Sequence, residues 1–278
     1  MKNRIHFQCD NKKTYTDAVG SMKNTYKGQP TKKPTLEALS DRVKLRYDEY
    51  ELKFNANDLI QIKSSNRNEE EKKALVYLYN SNPKIVRNLK DEIKKTQKEH
   101  LRQICPSCGI LPALTVDHYV PKDSYPDFSI YSSNLIWTCG TCNGKKLEYW
   151  KEATYRGIIN FYIDDIPSFN FLGCKVTSNN GVLKADYFIK EEKLTNYPNI
   201  VKHFDKLKIL NLYRDHIPTK LGEIIADLKS YKGIINERKL KRILITQYCQ
   251  RRKDFGINDW KVGLLKQIII GKHYLQYI

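Results

Sequence analysis

Residues 105–146 read CPSCGILPALTVDHYVPKDSYPDFSIYSSNLIWTCGTCNGKK. Two Cys-x-x-Cys pairs, Cys105 with Cys108 and Cys139 with Cys142, bracket an Asp–His pair at the end of a short apolar run. Each pair bends the chain back on itself and offers two thiolates along one edge of a tetrahedron. Four thiolates on two such hooks suit Zn²⁺. Cysteine fills every position, so no site stays open for substrate or activated water, and the zinc is expected to be structural. Gly109 and Gly140 are expected to relax the backbone where amides approach sulfur. The plainer reading is a set of reduced core thiols, but paired spacing at both ends argues against coincidence.

The segment between the hooks carries the chemistry. ALTVDH, residues 113–118, alternates like a short strand, with Leu114 and Val116 on one face. Asp117 and His118 close that strand and point to opposite faces, so they can serve different functions. A loop rich in Pro, Asp, Ser and Tyr follows, in which Tyr125 and Phe128 read as packing residues. A second strand, NLIWTC, is opened by Asn134, and CNGKK places Asn143 at the start of a helix, where a capping role is its alternative use. The local order is strand, loop, strand, helix.

Outward from this centre the pattern is helical on both sides. Residues 1–35 are polar and Lys-rich, with Gly and Pro in GQPTKKPT, and read as a basic flexible arm. Residues 36–103 form a helical N-terminal region: EEEKKALVYLYN begins with acids, which suit a helix N-terminus. Ile85, Leu89 and Ile93 then recur at helical intervals after a break at Ser81 and Pro83. Residues 104–150 are the zinc-bearing centre. Residues 151–278 open with a β-hairpin, FLGCKV and VLKADYFI around an Asn-Gly turn, and return to helices. Those helices read NIVKHFDKLKILNLYRDH, TKLGEIIADLKSYKG and INERKLKRILITQYCQRRK. His100, His203 and His216 fall in helical segments and read as surface or core residues. The fold class is α+β, mainly helical flanks around a zinc-stapled core.

Charge and composition narrow the partners. The 278 residues include 49 Lys and Arg against 31 Asp and Glu, a net charge of +18. A field of that sign attracts polyanions, usually DNA or RNA. A solubilising surface is the plain alternative, and an anionic membrane surface a lesser one. No apolar run approaches the roughly 18–20 residues of a spanning helix. The opening MKNRIHFQCDNKK has no apolar stretch behind its basic residues, so a cytoplasmic protein is expected. Seven cysteines are an odd number, and a reducing setting disfavours a disulfide framework. Cys9, Cys174 and Cys249 lie apart and read as small hydrophobes.

Taken together, DH, N and CNxxK between two CxxC pairs resemble the HNH endonuclease family, in its variant with four zinc-binding cysteines. The wording DHYVPKDSYPDFS…NLIWTCGTCNGKK also resembles a bacterial subgroup associated with anti-phage defence. The resemblance covers roughly residues 104–150 and implies a ββα-metal finger that cuts DNA phosphodiesters with a single catalytic metal. It implies His118 as general base, consistent with an imidazole pKa near 6.5. Asp117 and Asn143 would hold Mg²⁺ or Mn²⁺ through oxygen. Asn134 would tie the loop and orient the imidazole, and Lys146 would steady a phosphate oxygen. The family's last His is Asn143 here, which favours a hard ion over Zn²⁺ at the catalytic position. A regulatory partner such as an ATPase is implied by the same analogy. Two other readings stand beside this one. A non-catalytic zinc module would bind nucleic acid without needing Asp117, His118 and Asn143 together, and an RNase would use the same site on RNA.

Overall fold

The computed structural model describes residues 1–27, 29–180 and 182–277. Helix α1, Asn11–Gly20, starts where the Asp10 side chain accepts from the Lys13 amide, the usual way of satisfying a free helix-end donor. A two-residue pair, β1 (Thr25–Tyr26) and β2 (Gln29–Pro30), leads to α2 (Lys33–Ala38) and the long α3 (Ser40–Asn55). Helix α4, Glu69–Asn80, begins with a reciprocal cap: Asn68 accepts from the Glu71 amide while Glu71 accepts from the Asn68 amide. Beyond its end the chain turns at a left-handed Asn82, and α5 (Lys84–Lys95) starts after Pro83. Its buried face is Val86, Leu89 and Ile93, with Ile85 only half-buried.

After α6 (Glu99–Arg102) come the elements of the centre. Strand β3, Thr115–His118, pairs antiparallel with β4, Leu135–Thr138, so that Asp117 faces Ile136 and His118 faces Leu135 across the ladder. Helix α7, Gly140–Lys146, follows at once. This is the strand, loop, strand, helix order expected from the sequence, in an α+β chain of helices and small sheets.

The C-terminal part opens with the hairpin β5 (Leu172–Asn179) and β6 (Val182–Ile189), which pair along their full length. Asn180 takes the positive φ of its turn, and the turn's Gly181 lies outside the described residues. Then α8 (Pro198–Lys206), α9 (Ile209–Ser230), α10 (Glu237–Phe255) and α11 (Trp260–Ile270) close the chain. The helix breaks differ from expectation. NIVKHFDKLKILNLYRDH is interrupted at Lys208, whose φ of 52° is left-handed, whereas α9 runs straight through Pro218 and joins the two segments expected to be separate. Pro218 removes one i to i−4 bond, but Leu212, Tyr213, Ile217, Leu221, Ile224 and Leu228 bury a continuous stripe that outweighs it.

The larger of two apolar clusters among the described residues runs from Met1 to Tyr277 and includes Cys105, Cys108, Cys139 and Cys142, and the smaller holds Leu89, Ile93 and Leu135. The first 35 residues are therefore not a loose arm: Met1, Tyr15, Ala18 and Val19 are buried, and the Tyr15 hydroxyl donates to the Leu36 carbonyl at 2.7 Å. On α1 itself Lys12 and Lys13 lie towards solvent while Tyr15, Ala18 and Val19 supply core. No helix among the described residues is long and apolar enough to cross a membrane.

Candidate active site and zinc centre

The sulfurs of Cys105, Cys108, Cys139 and Cys142 all lie within 4.8 Å of one another, and all four residues are buried. Zn–S bonds of about 2.3 Å place tetrahedral sulfurs about 3.8 Å apart. Cys108 and Cys139 already stand at 4.0 Å, so the four thiols fit a Zn²⁺ ion. The first hook turns through Gly109, whose φ is +69° and whose amide donates to the Cys105 carbonyl at 2.9 Å. Gly140 needs no such freedom, contrary to expectation. It is the first residue of α7, and Cys139 caps that helix by accepting from the Cys142 amide at 3.3 Å.

The hook is also clamped from the far end of the chain. His203 of α8, Tyr213 of α9 and Trp260 of α11 meet three consecutive carbonyls, those of Ser107 (3.3 Å), Cys108 (2.8 Å) and Gly109 (3.1 Å). A carbonyl can only accept, so His203 Nε2 carries hydrogen, while its Nδ1 accepts from the Ile159 amide at 3.3 Å. Burial lowers the pKa of this imidazole to about 4 and keeps it neutral.

On the other side of α7 lies an open cleft of about 570 Å³. Asp117, His118 and Asn143 all reach it, although they come from a strand end and a helix. Placing α7 directly after β4 swings Asn143, one turn into the helix, over the end of β3. Asn143 does not cap the helix, since Cys139 does, and no hydrogen bond holds its side-chain amide among the described residues. Its oxygen is free to bind a cation.

The His118 ring is 7% exposed and anchored by a 2.9 Å contact from Nε2 to the Ser129 carbonyl. Nε2 must donate, so the neutral ring keeps its lone pair on Nδ1. Burial lowers the pKa to about 3, opposed by the Ser129 hydrogen bond, and the ring is uncharged at neutral pH. For Asp117, burial raises the carboxyl pKa to about 6, with Lys146 pulling the other way. A carboxylate so short of solvent and an unengaged amide oxygen, both lining this cleft, are hard donors of the kind that suit a divalent cation.

Asn134 is fully buried and does not line this cleft. Its Oδ1 accepts from the Val120 amide at 2.7 Å, and its Nδ2 donates to the carbonyls of Val120 and Phe128, both at 3.1 Å. These bonds close the loop between β3 and β4 and hold Phe128 next to Ser129, the residue that anchors the imidazole. Tyr125 and Phe128 are core residues, the first packed edge-on to Trp150 and the second to Tyr50. The loop is tied to the helical flank by buried Asp127, which accepts from Arg67 Nε (3.0 Å) and Nη2 (2.6 Å) and from the Ser65 hydroxyl.

Lys146 departs from the sequence expectation of a phosphate contact. It is 3% exposed, and its Nζ lies 3.2 Å from Asp117 Oδ1 and 2.7 Å from the His118 carbonyl. The ammonium is spent on β3 because Lys146 stands on the inward face of α7, three residues after Asn143. Tyr79 of α4, by contrast, went unmarked in the sequence. Its ring packs edge-on to His118 at 4.4 Å between centroids and lines the cleft, with Lys90 Nζ 3.8 Å from the ring centroid. YLYN reads as an ordinary amphipathic turn, and only the fold brings it to the imidazole.

The lambda phage protein named Protein ea31 is similar to this chain, 29% identical over 139 residues that cover 48% of this chain and 47% of that protein. Septu protein PtuB of Bacillus thuringiensis is 29% identical over 116 residues, covering 41% of this chain and 40% of that protein. No family model matches, and no solved structure matches. The chain thus spans about half the length, or less, of these curated relatives, and it is similar to a phage protein and to a Septu protein over that part.

Proposed function

We propose that this protein is a metal-dependent endonuclease that hydrolyses DNA phosphodiester bonds. The observation that carries the reading is the meeting of Asp117, His118 and Asn143 at one cleft, with the His118 Nε2–H committed to the Ser129 carbonyl. Nδ1 of His118 accepts the proton of the water that attacks phosphorus. The neutral ring is always in its base form near pH 7, and an incoming phosphodiester anion raises its basicity. Mg²⁺ or Mn²⁺, held by the oxygens of Asp117 and Asn143, would stabilise charge on the phosphate and on the leaving oxygen. Lys146 acts as a positioning residue: it fixes one Asp117 oxygen and the β3 carbonyl at His118, leaving the second carboxylate oxygen for the cation. Asn134 positions the loop that holds Ser129. Zn²⁺ on the four cysteines is structural. Lys122, on the rim of the cleft, supplies positive charge for the substrate backbone.

Anti-phage defence, the setting implied by the sequence resemblance, is the role we propose, with an ATPase as regulatory partner. The similarity to Septu protein PtuB agrees with that setting. The test is incubation of supercoiled plasmid with protein and Mg²⁺. Native protein should nick or linearise it, and His118→Ala should lose about 10²–10⁴-fold in rate with zinc content and DNA affinity kept. A His118→Ala protein that cuts at the native rate refutes the assignment.

A further inference from the structure

Helix α10 carries charge in a manner that its own folding does not require. From Arg238 to Lys253 it has seven basic residues and no acidic one. Its inner side is committed: Leu240 and Leu244 are buried, and Arg251 pairs with Asp259 at 2.8 Å and packs on Phe255. The six other cations, Arg238, Lys239, Lys241, Arg242, Arg252 and Lys253, are all exposed, and among the described residues no acidic side chain pairs with any of them. Lys2 adds a further cation at the C-terminal end, where its Nζ meets the Lys253 carbonyl at 2.8 Å.

This arrangement works against the helix. Arg238 with Lys241, Arg238 with Arg242, and Lys239 with Arg242 are like charges at i,i+3 or i,i+4 spacing, which repel. Arg238 and Lys239 also sit in the first turn, where the helix dipole already presents positive charge. An anionic partner relieves both penalties. The basic groups form two clusters, 238–242 and 252–253, about 18 Å apart at 1.5 Å per residue, with the uncharged stretch 243–250 between them. That separation is comparable to the distance between the strands bordering a major groove about 12 Å wide. Helix α10 contributes nothing to the catalytic cleft.

We propose that the outer face of α10 is a second binding surface, for the phosphate backbone of duplex DNA, separate from the cleft. It rests on the nuclease reading only in taking DNA as the polyanion. The test is titration of a fluorescent duplex of about 30 base pairs with full-length protein in magnesium-free buffer at several salt concentrations. In one variant the six exposed cations of α10 are changed to Gln, which keeps helix propensity. In a control, Lys23, Lys63, Lys98, Lys175, Arg214 and Lys272 are changed to Gln, removing the same charge elsewhere. The α10 variant should bind at least tenfold more weakly, with the slope of log affinity against log salt reduced by about 3–5, at roughly 0.9 for each phosphate that is no longer neutralised. The control should change affinity less than threefold. Native affinity in the α10 variant overturns the proposal and points to an acidic protein surface as the occupant, and equal weakening in the control overturns it as a net-charge effect. Should the sixfold variant fail to fold, Arg252→Gln with Lys253→Gln must still weaken binding about threefold, or the proposal falls. Binding is read without cleavage, so a protein that binds through α10 yet never cuts refutes the nuclease reading alone. One that cuts, and whose α10 variant binds as the native does, refutes this inference alone.

Discussion

Replacing Asn134 tests whether the site is held by its loop. In Asn134→Ala the Val120 amide, bonded at 2.7 Å, loses its acceptor, and the carbonyls of Val120 and Phe128 lose their donor. Water cannot take over, because the residue is fully buried. A buried hydrogen bond contributes about 1 kcal/mol net, and a stranded buried donor costs about 1–3 kcal/mol. The sum is about 3–5 kcal/mol, a large part of the roughly 5–15 kcal/mol by which domains are stable. Asn134→Asp should cost a similar amount for a different reason: it keeps the acceptor for Val120 but turns an anionic oxygen towards two carbonyls. Urea unfolding of both variants reads the stability. Plasmid cleavage under conditions where each stays folded reads the function. Because Phe128 precedes the Ser129 carbonyl that anchors His118, the cleavage rate should fall at least tenfold while zinc stays bound. A stability loss below 1 kcal/mol, or a large loss with cleavage untouched, would refute the reasoning.

Stripping zinc, or replacing Cys105 by Ser, should unfold more than the centre. Helices α8, α9 and α11 lose their shared clamp on Ser107, Cys108 and Gly109, so far-ultraviolet dichroism should report loss of C-terminal helix, and intact helix content would contradict it. Lys146→Met should leave DNA affinity unchanged and lower the cleavage rate about tenfold. Weakened DNA binding at an unchanged rate would instead return Lys146 to a phosphate contact. His203 makes stability pH-dependent. Its folded pKa, about 4, lies below the ordinary 6.5, so the unfolded chain takes up a proton that the fold refuses. The contribution is intact above pH 6.5 and is lost as pH falls towards 4. Between pH 6.5 and 5 this is about 2 kcal/mol, which His203→Gln should remove from the pH dependence, and a curve parallel to the native one would contradict it.

Features that depend on local spacing can be read from residue order alone. The convergence of the two Cys-x-x-Cys pairs, the two short strands, the placing of Asp117 and His118 at a strand end, the hairpin before residue 190 and the break at Ser81–Pro83 were legible because thiol spacing, alternation and turn residues act within a few positions. Features that depend on distant partners came from the packing of the whole chain. Tertiary structure packed part of the Lys-rich first 35 residues as helix α1, because burying Tyr15, Ala18 and Val19 outweighs a polar composition. It carried α9 through Pro218, since one lost backbone bond is small against a buried stripe of six side chains. It withdrew Lys146 from solvent to Asp117, and it brought Tyr79 to the imidazole from 39 positions upstream, along a face that resembles any other amphipathic turn. A side chain's chemistry is written in its type, but its partner is set by how helices pack, and packing is a property of the whole core.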